Sequence, residues 1–265
     1  MLKAALDSGV TEIDTAFNYA GFKAHSLLAE IDSSVTRRLA ITTKVGFFAD
    51  RHGLAPEKLA AAAHQTAEGL GRVPEVLLLH NPERSAPHLA AACEAMVQLR
   101  ESGLCGSWGI STWAPAALLD YVDAATPQPE VLMVRCGLTV SHRVLTAAEA
   151  LIDRLRPREV RGMAPFGGNP SDPLWQTVDP ALFLTPASRS VNPERLQAAL
   201  GVAFATPRVS AVAVGTSRAS HLAQLCEASA LNADPETIAR YRTLLAERHK
   251  LSARTDSNAG KRLPS

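Results

Sequence analysis

Seven short apolar runs, each followed by a helical stretch, constrain this chain more than any other feature. They are Thr11–Ala16, Leu39–Gly46, Glu75–His80, Ser107–Thr112, Glu130–Cys136, Val160–Pro165 and Val209–Gly215. Several are nearly continuous in apolar character, as strands buried on both faces are. The spacing predicts helices over Leu2–Ser8, Ala24–Ile31, Pro56–Leu70, Pro87–Ser102, Pro115–Ala125, Thr146–Leu155, Pro193–Ala205, Ala219–Ala228 and Pro235–Leu251. Leu89, Cys93, Met96 and Val97 recur at helical spacing and mark an inward face. Strand–helix alternation of this kind predicts a parallel sheet with right-handed crossovers.

Two α/β architectures satisfy that order. A doubly wound sheet carries a glycine-rich fingerprint after an early strand, and no GxGxxG or GxxxxGK[ST] occurs here. A (β/α)8 TIM barrel takes about 250 residues, and the chain has 265. The expected fold is therefore such a barrel, incomplete, with seven visible parallel strands. The opening helix reads as the crossover from a first strand, which implies either closure with seven strands or a natural start upstream. One barrel unit is expected over 1–252, with a polar, disordered tail over 253–265.

Composition narrows the function. Lys plus Arg is 27 against 26 Asp plus Glu, a net charge of +1, so there is no global basic field for nucleic acid. Cys93, Cys105, Cys136 and Cys226 are far apart and form no CxxC, which argues against a disulfide framework and against a zinc site. A reducing cytoplasm is the expected setting. No apolar run approaches the roughly 20 residues of a membrane helix, so no membrane partner is expected.

In barrels, chemistry gathers at the C-terminal ends of the strands. Asp14 lies at the exit of EIDTA, Lys44 ends ITTK, and His80 ends VLLLH directly before Asn81-Pro82. Charged groups at the ends of buried strands are costly unless paired. Tyr19 follows Asp14 by five residues, on a loop able to swing its hydroxyl over the mouth. The four fit one proton-handling device. Lys44, paired to Asp14, is expected to lower the pKa of the Tyr19 phenol, and His80 to donate to a substrate oxygen. His25 and His142 read as surface or capping residues.

The segments GVTEIDTAFNYAG, TTKVG, VLLLHNPE, GSWGISTW and VAVGTSRASHL resemble the aldo-keto reductase family. The resemblance implies a (β/α)8 barrel binding a nicotinamide cofactor, usually NADPH, with no metal. It implies an Asp, Tyr, Lys and His catalytic set, matched by Asp14, Tyr19, Lys44 and His80. It further implies transfer of hydride to a carbonyl carbon while Tyr19 protonates the oxygen of a small-molecule substrate.

For the cofactor, the resemblance assigns Ser111 and Thr112 to a carboxamide pair that is Ser-Asn in the family. It places Met133 at the position of a Gln, and Met163 where a Tyr stacks on the nicotinamide. Gly215, Thr216, Ser217 and Arg218 open a helix, where backbone N–H groups favour phosphate and Arg218 meets a 2′-phosphate. Phe17, Phe47, Phe48 and Trp113 are expected to rim the substrate site. Arg135, near the end of its strand, is expected to meet either substrate or a structural carboxylate. Loop Gly167–Thr185 is a candidate lid. Two other readings stand beside reductase: a redox-neutral elimination or isomerisation using the same four residues, and a non-catalytic barrel subunit.

Overall fold

The computed structural model describes residues 1–167 and 174–259. Seven strands form one parallel sheet in sequential order: β1 (Glu12–Asp14), β2 (Ala40–Val45), β3 (Val76–His80), β4 (Ser107–Thr112), β5 (Val131–Arg135), β6 (Glu159–Met163) and β7 (Ala211–Ala213). Each connection between consecutive strands advances the sheet by one place, the winding of a (β/α)8 barrel.

Alternation along the strands separates two apolar layers. Val76, Leu78, Val131 and Met133 pack inside the curl with Met163 and Ala213. Their neighbours Leu77, Leu79, Ile110, Leu132 and Val134 point outward and pack on Leu59, Leu89, Met96 and Leu151 of the surrounding helices. Gly109 on β4 is required by close approach. A Cβ there would run into the Val131 carbonyl and lie 2.8 Å from Leu78 Cδ2.

The sheet curls far enough for its ends to meet through side chains. Arg161 on β6 bonds Glu12 on β1 and donates to Thr42 Oγ1 on β2 at 2.8 Å, while its second amino group holds Glu159 at 2.9 Å. Glu12 also accepts from Thr42. This charged knot lies at the N-terminal end of the barrel interior, below the apolar layer. Outside the sheet, helix Leu2–Asp7 packs against helix Ala219–Ala228, so the helical layer closes on the side where β1 and β7 are not paired.

Several expected elements change form. The stretch from Pro87 is a helix only from Leu89 to Glu101, preceded by a 3-10 turn over Pro82–His88, and Pro115–Tyr121 is also 3-10. Proline-opened, tightly wound turns suit short segments better than an α-helix. The final helix runs Pro235–Ala259, past the expected end at Leu251 and into the stretch from Ala253 assigned to a disordered tail. No Gly or Pro interrupts the sequence from Glu236 to Ala259. Residues 260–265 of that tail, and 168–173 of the candidate lid, lie outside the described residues.

The knot at the barrel base has a measurable consequence. Arg161→Met leaves Glu12 and Glu159 facing each other without their cation, and stability at neutral pH should fall by about 3 kcal/mol. The deficit should shrink when Glu12→Gln and Glu159→Gln are added to Arg161→Met. Urea unfolding of the single and triple variants reads both effects; an equal loss in the two would show that the charges do not carry it.

Candidate active site at the barrel mouth

Inward-facing positions at the C-terminal ends of the strands form one layer: Asp14, Lys44, His80, Ser111 and Arg135. Lys44 sits at the end of a strand whose residues are buried from Ile41 onward, with 2% of its own surface exposed. Its ammonium donates to Asp14 Oδ1 at 2.7 Å, to Asp14 Oδ2 at 2.6 Å and to the Thr15 carbonyl at 2.8 Å. These acceptors match the three protons of the ammonium. Burial pulls the Asp14 carboxyl up and the Lys44 ammonium down, and the mutual attraction opposes both shifts.

Tyr19 opens a tight turn in which Ala20, Gly21 and Phe22 have φ of 51°, 62° and 66°. This left-handed path turns the tyrosine back over the mouth. Its ring stands 5.4 Å from Lys44 Nζ and edge-to-face with the His80 imidazole at 5.9 Å. The expectation that Lys44 lowers the phenol's pKa is not met. Burial, followed by the Asp14 carboxylate, pushes the phenol above its ordinary value. Removal from water disfavours the phenolate most, and the Asp14 carboxylate, which also pairs with the ammonium, adds to the rise.

His80 is a neutral imidazole. Burial, then the Lys44 and His52 charges, lower its pKa to about 3. Its Nδ1 is buried without a partner. Phe47 packs edge-to-face on it at 4.8 Å. Its backbone is held from behind by a residue that sequence reasoning missed. His52 Nε2 lies 3.0 Å from the His80 carbonyl and Nδ1 lies 2.8 Å from Ser85 Oγ. A carbonyl only accepts, so Nε2 carries the hydrogen and Nδ1 accepts from the serine. The sequence holds no signal for this contact, because it depends on the loop after β2 folding back.

A second missed residue is Glu83, in the HNPE segment. It accepts from Thr112 Oγ1 at 2.9 Å and from the backbone N–H of Trp113 and Ala114 at 2.8 and 3.1 Å. Thr112 is thus turned away from the mouth, and its hydroxyl already has an acceptor. Ser111 does face inward, with its hydroxyl 3.8 Å from Met163 Sδ.

The other expected site residues divide. Met133 is 2% exposed and belongs to the apolar layer beneath the mouth, so it does not reach the site. The strand's period of two brings Arg135 to the mouth instead. Phe17 turns outward with Phe22 and Phe48, lining a 390 Å³ cavity beside helix Pro56–Leu70. Phe47 is at the site, through His80. Trp113 and Arg135 stack on each other, the guanidinium carbon 4.6 Å from the ring centroid. Gly215–Arg218 lead from β7 into helix Ala219–Ala228, which starts with no side-chain cap, and Ser217 and Arg218 are exposed. His25 is buried rather than a surface residue, 2.7 Å from Thr43 Oγ1.

Residues 1–151 match the sequence profile described as the Aldo/keto reductase family. The fold is similar to an aldo-keto reductase from Klebsiella pneumoniae in complex with NADPH, at 18% identity and TM-score 0.66 over 92% of this chain and 82% of that one. It is similar to an aldo/keto reductase from Klebsiella pneumoniae in complex with NADP and acetate, at 19% and 0.69 over 92% and 83%. A holo aldo-keto reductase from Bacillus halodurans matches at 16% and 0.69 over 92% and 85%. A search of curated proteins found no match.

The neutral state of His80 is directly testable. Its imidazole proton resonances should not titrate between pH 8 and pH 5, assigned by loss in His80→Gln. A midpoint near the ordinary 6.5 would contradict the burial argument. The unfolded chain protonates this residue near 6.5 and the folded chain only near 3, so its contribution to stability is lost as pH falls between those values.

Proposed function

The chain belongs to the aldo/keto reductase family, and we propose that it reduces a carbonyl of a small molecule to the alcohol, with NADPH as cofactor. The observation that carries this reading is the convergence of Tyr19, Lys44, Asp14 and His80 at one end of the barrel. NADPH as the cofactor is supported by the structurally similar reductases crystallised with NADPH or NADP.

The residues present fit such a cofactor at both ends. The uncapped helix start at Ala219, with Ser217 and Arg218 exposed and open space around Gly215, suits phosphate groups. The Ser111 hydroxyl faces inward, buried beneath the mouth, with only a thioether as acceptor. Met163 offers a polarisable face to the ring. When bound, the reduced nicotinamide supplies hydride to the carbonyl carbon.

The chain's own residues handle the oxygen. Tyr19 donates its phenolic proton as negative charge develops there. His80, neutral, donates a hydrogen bond to the same oxygen and cannot compete as the acid, because it carries no ionisable proton near neutrality. Lys44, paired to Asp14, stands 5.4 Å over the Tyr19 ring and holds the phenol in place by its cation–π contact. Asp14 fixes Lys44 there. Phe47 dries the His80 side of the pocket, which strengthens each of these interactions.

A redox-neutral elimination or isomerisation is the second reading. It is favoured by one observation: Thr112 and Met133, two of the expected carboxamide contacts, do not face the mouth. Turnover of an aldehyde with stoichiometric NADPH oxidation separates the two. Tyr19→Phe should lower kcat/KM about 100- to 10,000-fold while leaving NADPH affinity in place. Retained turnover in that variant would remove Tyr19 from the proton step. Reduction needs the phenol protonated, and its pKa lies above the ordinary 10. The rate should therefore hold through pH 9 and fall only in more alkaline solution; an alkaline limb centred near neutrality would assign the proton to another group.

A further inference from the structure

We infer that Arg135 and Trp113 form an anion-binding subsite at the barrel mouth, and that the carbonyl substrate carries a carboxylate. This rests on the reductase reading above and adds the substrate class to it.

Arg135 occupies an expensive position. It ends β5 on the inward face, half-buried, with Nε enclosed and without a hydrogen-bond partner. Its guanidinium makes no ion pair among the described residues. Burial alone shifts it, downward, with no carboxylate acting on it. Arg161, the other arginine inside the barrel, shows what a structural arginine looks like here. Its Nε is also buried without a partner, but its two amino groups are held by Glu12, Glu159 and Thr42. Arg135 has instead an aromatic platform, with Trp113 at 4.6 Å. Stacking fixes the plane of a guanidinium but satisfies none of its N–H donors.

The platform is itself held. Glu83 accepts from the backbone N–H of Trp113 and Ala114, which fixes the loop carrying the indole. Trp113 is 43% exposed, so the stacked pair is open to solvent on the mouth side.

Charge at the mouth points the same way. Asp14 and Lys44 cancel, His80 is neutral, and Tyr19 is protonated. Arg135 is left as the uncompensated charge of that layer. Arg84, 5.3 Å from the centroid of the Phe47 ring, is solvent-exposed. A planar guanidinium with free donors matches a carboxylate bidentately. Arg135 lies on the second strand from β3, which bears His80. A carbonyl at His80 and a carboxylate at Arg135 therefore belong to one short substrate.

Matched aldehydes test this: 4-oxobutanoate against butanal, and 4-carboxybenzaldehyde against benzaldehyde. The full chain should prefer the charged member of each pair about 10- to 100-fold in kcat/KM, and Arg135→Met should collapse that ratio toward one, mainly through KM. Arg135→Lys should recover only part of it, since an ammonium cannot reproduce the fork. Tryptophan fluorescence supplies a readout without turnover. Benzoate should quench saturably, benzamide should not, and Arg135→Met and Trp113→Phe should each abolish the benzoate signal.

The outcomes separate the two claims. Reduction of neutral and charged aldehydes alike, with no benzoate binding, overturns the anion subsite and leaves the reductase reading standing. Benzoate binding that needs Arg135, with no aldehyde reduced, supports the subsite and overturns the reductase reading. If Arg135→Met weakens NADPH and both aldehydes by one common factor, Arg135 serves the cofactor and the inference is overturned.

Discussion

An ammonium buried at the end of a strand requires an acceptor for each of its protons, and the arrangement of the mouth follows from how Lys44 obtains them. Two come from the Asp14 carboxylate on β1 and one from the Thr15 carbonyl just beyond it. The chain leaving β1 is thereby fastened to β2 and must turn sharply, and it does so through Ala20, Gly21 and Phe22 in left-handed geometry. That turn sets the Tyr19 ring between Lys44 and His80. Pairing and placement are one constraint: loosening Asp14 would free Lys44 and also release the path that positions the phenol.

The barrel interior is charged at both ends and apolar between. Arg161, Glu12 and Glu159 form the base, and the mouth holds Asp14, Lys44, His80 and Arg135. The layer of Val76, Leu78, Val131 and Met133 separates them. At the base each charged group has an ion-pair partner, and the Arg161 Nε alone of that knot is buried without a hydrogen bond. At the mouth the His80 Nδ1 and the Arg135 Nε are both buried and unpartnered, and Arg135 has no ion pair among the described residues. Unsatisfied polar groups of this kind are retained where a ligand completes them. The surrounding shell is rigid: His52 holds the backbone of His80, and Glu83 holds the loop of Trp113.

Much of this was legible in the sequence. Continuous apolar runs located all seven strands within a few residues, and costly ionisable groups at their ends located Asp14, Lys44 and His80. What was not legible depends on height and direction. Met133 and Arg135 differ by two residues and face the same way, so only the stagger of the sheet decides which of them reaches the mouth. Thr112 reads as a ligand until Glu83, remote in sequence, is seen to take its hydroxyl. Phe17 follows its strand end as Phe47 does, yet one turns to the outer cavity and the other to His80. The direction of the Tyr19 shift needed the burial of the phenol and its nearness to Asp14, which no spacing in the sequence contains.

Hydride chemistry at this mouth requires that it receive a reduced nicotinamide. Calorimetric titration of the full chain with NADPH and NADH tests that without requiring the substrate. Saturable one-site binding of NADPH with micromolar or tighter affinity, weakened by Arg218→Ala more than NADH binding is, is the predicted result. Failure of both nucleotides to bind the folded chain would contradict it and leave the four mouth residues to chemistry without hydride transfer.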